Sequence, residues 1–212
     1  MSPDILQFKT PTILFGNGAT PTHPAVLKKI SEANSILCVD GGADKLEKIG
    51  YNPDLIFGDL DSLIHDPGKY ECDLIHLDDQ SRTDLEKSLE WCFSRGIKDL
   101  SLVGFSGGRD DHTVVVLRTL LSYAHRMNLI FYSNYSTVQC VKDDASFNTF
   151  PGQIISIIHP NENIKITTQG LKFPLNNSGL NSPGHGISNV AEGDQCSIRS
   201  TEWVWVFFNF AE

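Results

Sequence analysis

The sequence predicts an α/β protein, in which a parallel-sheet α/β domain is followed by a small antiparallel β-sandwich or roll. Up to about residue 135, short apolar runs alternate with stretches of helical pattern, which is typical of βα units. After about residue 136, the chain is rich in β-forming segments separated by Gly, Pro and Asn. We therefore expect two domains, residues 1–135 and 136–212, with no low-complexity linker between them.

The strands of the first domain are short apolar runs bounded mostly by turn-forming or polar residues. In chain order they are ILFG (13–16), ILCVD (36–40), LIFGD (55–59), LIHL (74–77), LSLVG (100–104) and LIFYS (129–133). Helical patterns lie between several of them, notably at 83–96 and 112–127. Strands and helices in alternation predict a largely parallel sheet.

The second domain is expected to consist of strands alone. Its β-rich segments are TVQCVK (137–142), QIISIIHP (153–160), NIKITTQ (163–169), QCSIRS (195–200) and WVWVFFNF (203–210). Trp203 and Trp205 are two residues apart in the last of these, so they should share one strand face and pack in a core or a dimer interface.

Composition excludes several classes of protein. The chain of 212 residues carries 17 Lys and Arg against 26 Asp and Glu, a formal net charge of −9, and no basic cluster. A nucleic-acid partner is therefore not expected, and an anionic small ligand would call for a metal as mediator. Five scattered cysteines without a C-x-x-C pair argue against disulfides and zinc. The N-terminus lacks a signal-peptide pattern, and no apolar run could cross a bilayer, so we expect a cytoplasmic protein without membrane contact.

Four carboxylates follow strands or begin a helix. Asp40 and Asp59 end apolar runs, Asp61 lies two residues further, and Asp84 begins the helix pattern at 83–96. Ligands of open α/β sheets bind at the carboxyl ends of the strands, so these side chains could share one crevice. Two carboxylates about 4 Å apart repel by roughly 4 kcal/mol at an effective dielectric constant of about 20. Mg²⁺ bound with substrate phosphates would relieve that repulsion, although an Asp after a strand is also a common turn former.

The helix pattern at 83–96 opens with TDLE, which predicts a capping box between Thr83 and Glu86. That leaves Asp84 available to the crevice. Lys87 lies one turn further along the helix, where it could pair with a carboxylate, reach a phosphate or be solvated.

A second stretch, GFSGGRDDHT (104–113), joins a strand to a long helix. Gly107 and Gly108 permit a tight turn whose N–H groups can face an anion, and Arg109 offers a two-pronged phosphate contact. The alternative is a plain loop in which Asp110 or Asp111 caps the helix. The chain has no G-x-x-x-x-G-K-[ST] motif, which excludes a P-loop kinase.

Taken together, these motifs resemble the thiamin pyrophosphokinase family. In family order, they read VDGGAD (39–44), GDLDS (58–62), TDLEK (83–87), GGRDDH (107–112) and TTQGLKFPL (167–175). The resemblance spans nearly the whole chain. It implies an α/β nucleotide domain, a thiamin-binding and dimerisation β domain, and a homodimer with active sites at the subunit interface.

The resemblance also implies a reaction and a set of site residues. The diphosphoryl group of ATP would pass to the thiamin hydroxyl, giving thiamin diphosphate and AMP, with Mg²⁺ held by Asp40, Asp59, Asp61 and Asp84. The implied catalytic residues are Asp59, Asp61, Asp84 and Arg109. The implied ATP contacts are Asp40, Gly41, Gly42, Gln80, Thr83, Lys87, Gly107, Gly108, Arg109, Asp111 and His112. The implied thiamin contacts are Phe173, Ser188 and Asn189.

The departures from the family pattern lie among the thiamin contacts. Phe173 stands where the family usually has tryptophan, and GHGISN (184–189) matches the family's V-S-T-S-N run only at Ser188 and Asn189. If a hydroxyl is missing there, serine at Gly186 is expected to tighten thiamin binding. Three alternatives stay open: a diphosphokinase for another hydroxymethyl acceptor (a pterin or pyrimidine), a non-catalytic thiamin or nucleotide sensor, and a metal-dependent nucleotide-sugar glycosyltransferase.

Overall fold

A parallel sheet organises the first of two units in the computed structural model, which describes residues 8–58, 69–159 and 164–211. The first unit comprises the chain up to Thr119 together with Arg126–Asn134. The second comprises Leu120–His125 and the chain from Tyr135 onward.

The sheet of the first unit contains six described strands. They are β1 (Thr12–Phe15), β2 (Ser35–Val39), β3 (Leu55–Gly58), β4 (Asp73–His76), β5 (Asp99–Val103) and β6 (Asn128–Tyr132). Neighbouring strands pair in parallel, in the order β6-β5-β1-β2-β3-β4. Each strand coincides with one of the apolar runs in the sequence, so the expectation of a largely parallel sheet is confirmed.

The strand order reverses at β1. The chain builds outward from β1 through β2 and β3 to β4, and then returns to place β5 on the opposite side of β1. Connections on the two sides of such a reversal diverge and leave a crevice at the carboxyl ends of the central strands. This topology determines where the first unit can bind a ligand.

Within the described residues, four helices accompany the strands, and their bounds are α1 (Pro24–Ser31), α2 (Gly42–Lys48), α3 (Asp84–Ser94) and α4 (Asp110–Tyr123). The predicted capping box of α3 is confirmed, since Thr83 Oγ1 accepts from the Glu86 N–H at 3.3 Å and the Thr83 N–H donates to Glu86 Oε2 at 3.0 Å. None of the helices in the described parts of the chain has the length and apolar character needed to span a membrane.

Burial follows the position of each strand in the sheet. Strands β1, β2 and β3 are buried along their whole length, which explains why they read as continuous apolar runs rather than alternating ones. Strand β4 is mostly exposed and lies at the edge of the order given above. From α3, Trp91 packs edge-on against Phe57 of β3, with ring centroids 4.9 Å apart.

The second unit is an antiparallel β structure, as the sequence predicts. Its strands are β7 (Ser136–Asn148), β8 (Ile154–Ile158), β9 (Ile166–Gln169), β10 (Asn189–Val190) and β11 (Gln195–Asn209). They follow the order β10-β8-β11-β7, and β9 pairs with the first half of β11. Two segments predicted as separate strands are one strand, β11, because its pairing with β7 continues beyond a register shift between Ser200 and Val204.

The core of the second unit lies on one face of β11. Val204, Val206 and Phe208 alternate along this strand and are buried together with Ile155 and Ile157 of β8. Trp205 lies between them in sequence, pairs with Cys140, and is also buried. Trp205 therefore lies on the face of β11 opposite to this core.

Candidate functional site

A cleft of about 650 Å³ opens in the first unit at the carboxyl ends of β1, β2 and β5. The loops after these strands form part of its wall, and residues at the starts of α3 and α4 form the rest. It lies where the strand order reverses, which is the usual binding position in an open α/β sheet.

The loops after β1 and β5 are bonded to each other by backbone hydrogen bonds. The N–H groups of Gly16, Gly18 and Ala19 donate to the carbonyls of Val103, Gly104 and Ser106, at 2.8, 2.5 and 2.7 Å. A Cβ on Gly18 would lie 2.6 Å from the Gly104 oxygen, so the contact requires glycine. The two loops therefore form one continuous wall.

Lys45 of α2 is hydrogen-bonded to the same wall. Its ammonium donates to the carbonyl oxygens of Asn17 and Gly18, at 2.7 and 2.6 Å. Burial lowers the pKa of Lys45 from its ordinary value. Both carbonyls belong to residues that line the cleft, so Lys45 offsets their negative partial charge there.

Asp40 lies at the cleft, directly after β2. It is buried, with 6% of its surface exposed, and has a left-handed backbone with φ of 42°. Its carboxylate packs against Gly58, where a Cβ would come within 1.6 Å of Asp40 Oδ1. Any side chain at position 58 would therefore displace the carboxylate. Asp59 and Asp61, predicted to act with Asp40, lie outside the described residues.

Asp84 brings a second carboxylate to the cleft from the first turn of α3. Its Oδ1 lies 2.6 Å from the Lys87 ammonium, which also donates to the Leu77 carbonyl at 3.0 Å. The Lys87 side chain is only 5% exposed, so its position is well defined. Of the three options left open by the sequence, the structure shows Lys87 paired with a carboxylate.

Arg109, Asp111 and His112 line the cleft from the start of α4. The Arg109 guanidinium makes a two-pronged pair with Asp111, in which Nε lies 3.1 Å from Oδ1 and NH2 lies 2.5 Å from Oδ2. Hydrogen bonding from Arg109 holds the pKa of Asp111 below its ordinary value. Asp111 Oδ1 also accepts from the His112 N–H at 3.0 Å, and the guanidinium remains exposed to the cleft.

The donors at this cleft fit Mg²⁺ in kind. Asp40 and Asp84 offer hard carboxylate oxygens, which Mg²⁺ prefers. Within residues 8–58, 69–159 and 164–211, no group of three or more His, Cys, Asp or Glu side chains is arranged to hold a metal. The other two predicted ligands, Asp59 and Asp61, fall between those ranges.

The remaining predicted nucleotide contacts divide into two groups. Thr83 and Gly108 line the cleft. Gln80 is exposed in the turn before α3 and does not line it, and neither do Gly41, Gly42, Lys87 or Gly107. Gly42 permits close packing, because a Cβ there would lie 2.8 Å from the Phe15 carbonyl oxygen.

Sequence reasoning missed part of the wall, namely Asn17, Gly18, Phe105 and Ser106. The signal was present in GNG (16–18), directly after the first apolar run. Knowledge that β5 returns beside β1 would have indicated that these two loops meet.

In the second unit, the predicted thiamin contacts Phe173 and Asn189 are bonded to each other. The Phe173 N–H donates to Asn189 Oδ1 at 3.0 Å, and Asn189 Nδ2 donates to the Phe173 carbonyl at 2.7 Å. Phe173 is 61% exposed, whereas Asn189 is buried. Ser188 is exposed, with φ of 56°, and its N–H donates to Ser156 Oγ at 3.0 Å.

In the loop before Ser188, the backbone at position 186 favours glycine. Gly186 has φ of 136°, and a Cβ there would lie 2.7 Å from the Ile157 carbonyl oxygen. The Ile157 N–H in turn donates to the Gly186 carbonyl at 2.8 Å. His185 Nδ1 accepts from the Asn181 N–H at 3.1 Å, so this ring braces its own loop.

Comparison with known protein families gives two matches. Residues 26–131 match the thiamin pyrophosphokinase catalytic domain, and residues 137–205 match the thiamin pyrophosphokinase vitamin B1 binding domain. Thiamin pyrophosphokinase 1 of Caenorhabditis elegans is 32% identical over 77 residues, which are 34% of this chain and 32% of that protein. The alignment thus spans about a third of the relative.

The fold is similar to that of several solved structures. Thiamine pyrophosphokinase of Bacillus subtilis superimposes with a TM-score of 0.79 at 22% identity, over 95% of this chain and 98% of that one. The enzyme of Candida albicans gives 0.82 at 16% identity, over 94% of this chain and 88% of that one. A probable thiamine pyrophosphokinase of Staphylococcus saprophyticus gives 0.68 at 25% identity, over 95% and 98%.

Proposed function

This chain belongs to the thiamin pyrophosphokinase family, and from that premise we propose that it transfers the diphosphoryl group of ATP to the hydroxyl of thiamin. The products would be thiamin diphosphate and AMP. The observation that carries the proposal is the cleft at the strand-order reversal, which is lined by Asp40, Asp84, Gly108, Arg109 and His112.

The proposed transfer forms one bond and breaks one. The hydroxyl oxygen of thiamin attacks the β-phosphorus of ATP, and the bond from that phosphorus to the oxygen bridging the α- and β-phosphates breaks. AMP leaves with the electron pair, and the hydroxyl proton is released. Positioning and charge neutralisation carry most of such a transfer, so the chain needs to supply a shaped, charged cleft more than a covalent partner.

The described residues supply the positive charge from the α4 side of the cleft. Arg109 is exposed and oriented by Asp111, so its free N–H groups can meet phosphate oxygens. Gly108 and Arg109 directly precede α4, whose N-terminal N–H groups favour an anion. Asp111 would then act through Arg109.

Asp40 and Asp84 would hold Mg²⁺, whose charge offsets that of the polyphosphate when it is bound. Asp59 and Asp61 belong to the same proposal. Lys87 keeps Asp84 in place with its ammonium 2.6 Å away, which supports a positioning role for this lysine. In the second unit, the exposed ring of Phe173 would contact a ring of thiamin.

The experiment that tests this proposal is one reaction of protein, Mg²⁺, ATP and thiamin, analysed by mass spectrometry. AMP and thiamin diphosphate in equal amounts are expected. ADP with thiamin monophosphate would move the attack to the γ-phosphorus and refute the proposal. AMP release only with a hydroxymethyl-pterin or hydroxymethyl-pyrimidine would replace thiamin as acceptor, and binding of both substrates without products would indicate a sensor. Turnover of a UDP- or GDP-sugar in place of ATP would indicate a glycosyltransferase.

Variants with Asp40→Asn or Asp84→Asn should lose most of that turnover. The fold should survive because asparagine has nearly the size and polarity of aspartate, but Asp84→Asn should also lower the melting temperature, since it removes a carboxylate that pairs with the buried Lys87 ammonium. Thermal unfolding of each variant provides the control. Full turnover in the double variant would remove the metal site from the proposal.

A further inference from the structure

A short ladder of hydrogen bonds in the second unit continues from backbone into a side chain. The Glu192 N–H donates to the Gly170 carbonyl at 3.0 Å, and the Lys172 N–H donates to the Val190 carbonyl at 2.9 Å. Asn189, the residue before Val190, lies in β10 and pairs there with Ile155 of β8. The side-chain amide of Asn189 continues the ladder instead: it donates one hydrogen bond to the backbone of Phe173 and accepts one from it.

The Asn189 amide is almost fully used by the protein itself. Oδ1 accepts from the Phe173 N–H at 3.0 Å and from the Val190 N–H at 2.9 Å, which occupies both of its lone pairs. Nδ2 donates to the Phe173 carbonyl at 2.7 Å. With only 8% of the residue exposed, little of the amide is accessible to a ligand.

Phe173 shows the opposite combination of a fixed backbone and a free side chain. Both polar groups of its backbone bond to Asn189, yet 61% of the residue is exposed. The neighbouring Lys172 ammonium lies 5.6 Å from the ring centroid. The backbone that carries the ring is ordered before binding, so less conformational entropy is lost when the ring contacts a planar ligand.

We propose that Asn189 is a positioning residue, which fixes the backbone of Phe173 so that the exposed ring meets the acceptor, and that it is not itself a ligand of thiamin. This rests on the proposed function for the identity of the acceptor. Asn189 therefore acts on thiamin affinity only through Phe173.

A double-mutant cycle separates positioning from direct contact. Phe173→Ala should raise the KM for thiamin about tenfold, and Asn189→Ala should raise it by a similar factor. The kcat at saturating thiamin and the KM for ATP should change less than about twofold in both. The double variant should be no worse than Phe173→Ala alone, because Asn189 has nothing left to position. Asn176→Ala, an exposed asparagine in the same loop, is the matched control.

Additive effects in the double variant would overturn the proposal, since they would show a contact from Asn189 to thiamin that is independent of the ring. A fall in kcat without a change in the thiamin KM would also overturn it.

If Asn189→Ala does not fold, Asn189→Asp serves instead. Its carboxylate keeps the two acceptor bonds and loses the donor bond, so a smaller rise in KM is expected.

Amide hydrogen exchange tests, without any ligand, whether Asn189 fixes the backbone of Phe173. The Phe173 N–H should exchange at least about tenfold faster in Asn189→Ala than in the wild type, whereas the Ile157 N–H should be unaffected. Unchanged exchange at Phe173 would overturn the proposal even if thiamin turnover is found. If the Phe173 N–H exchanges faster but the protein neither binds nor converts thiamin, Asn189 does fix the Phe173 backbone, and only the proposed function is refuted.

Discussion

At the scale of single residues, the cleft depends on charges that are paired within the chain. Asp84 has Lys87, Arg109 has Asp111, and the two loop carbonyls have Lys45. Such pairs orient a side chain before the ligand arrives, which lowers the entropy lost on binding. The residues that would meet the phosphates are therefore already ordered by their neighbours.

Under the proposed function, Arg109→Ala should raise the KM for ATP about tenfold and leave the KM for thiamin within about twofold, because the exposed guanidinium would bind the polyphosphate. Steady-state kinetics with each substrate varied in turn is the measurement. Arg199→Ala is the matched control, since Arg199 is also exposed and paired with an aspartate, Asp144, in the second unit. Equal effects on both KM values would count against the phosphate role.

The structure reverses the expectation for Gly186. Serine there was expected to restore a missing hydroxyl, but φ of 136° and a Cβ only 2.7 Å from the Ile157 oxygen make any side chain strained. Gly186→Ser should therefore lower the free energy of unfolding by about 1–3 kcal/mol and should not tighten thiamin binding. Chemical denaturation and thiamin titration measure the two effects, and a stable variant with tighter binding would restore the original expectation.

At the scale of elements, the start of α3 combines a structural role with a chemical one. Thr83 and Glu86 cap the helix, while Asp84 between them projects into the cleft. Thr83→Ala should lower the free energy of unfolding by about 1 kcal/mol, because it removes the acceptor of the Glu86 N–H. Urea unfolding gives the value, and Glu86→Gln should cost much less because glutamine preserves the capping box. Equal losses would argue against the box.

The contact between the β1 and β5 loops can be tested with two glycines. Gly18→Ala places a Cβ 2.6 Å from the Gly104 and Ser106 carbonyl oxygens, and should lower the free energy of unfolding by about 1–3 kcal/mol and weaken ATP binding. Gly193→Ala is the control, since its Cβ would meet nothing within 4 Å. ATP affinity by calorimetry that is unchanged in Gly18→Ala would mean that the wall does not shape the nucleotide site.

How far the sequence predicted these elements depended on the kind of signal. Apolar runs located the six described strands of the parallel sheet, most clearly β1, β2 and β3, where burial along the whole strand leaves little room for polar residues. Local chemistry located the cap at Thr83 and the loop at Gly108 and Arg109. The contact of Gly18 with Gly104 was beyond reach, since it depends on strand order. The hydrogen bonds between the Asn189 side chain and the Phe173 backbone could not be predicted either, because a side chain that replaces a backbone partner leaves no periodic pattern in the sequence.

At the scale of the whole molecule, all five cysteines are free thiols. Burial raises the pKa of each, to about 11 for Cys72 and to about 12 for Cys92 and Cys140. Burial likewise raises the pKa of Tyr70, whose hydroxyl donates to Asp44 at 2.7 Å. These groups favour the protonated form in the folded chain more than in the unfolded one.

The sign of the resulting pH dependence is fixed. A group with a raised pKa in the folded state gives its full stabilisation below the unfolded value, about 8.5 for a thiol, and loses it as the pH rises toward the folded value. The free energy of unfolding should therefore fall from about pH 8.5 upward. Denaturant titrations between pH 7 and 10.5 measure this, and Cys92→Ala should flatten the decline. A constant free energy over that range would contradict the assignment.

The bonded loops after β1 and β5 also bear on when the protein becomes competent during its synthesis. The two partners are separated by nearly 90 positions, from Gly18 to Gly104, so half of the wall is translated long before the other half exists. An emerging chain that ends before residue 104 has the aspartate at position 40 but nothing against which its first loop can close. Under the proposed function, nucleotide could stabilise the emerging chain only after β5 and the start of α4 have left the ribosome. Stalling translation at successive lengths and probing with a photoreactive ATP analogue should reveal labelling that begins abruptly, rather than one that grows with chain length.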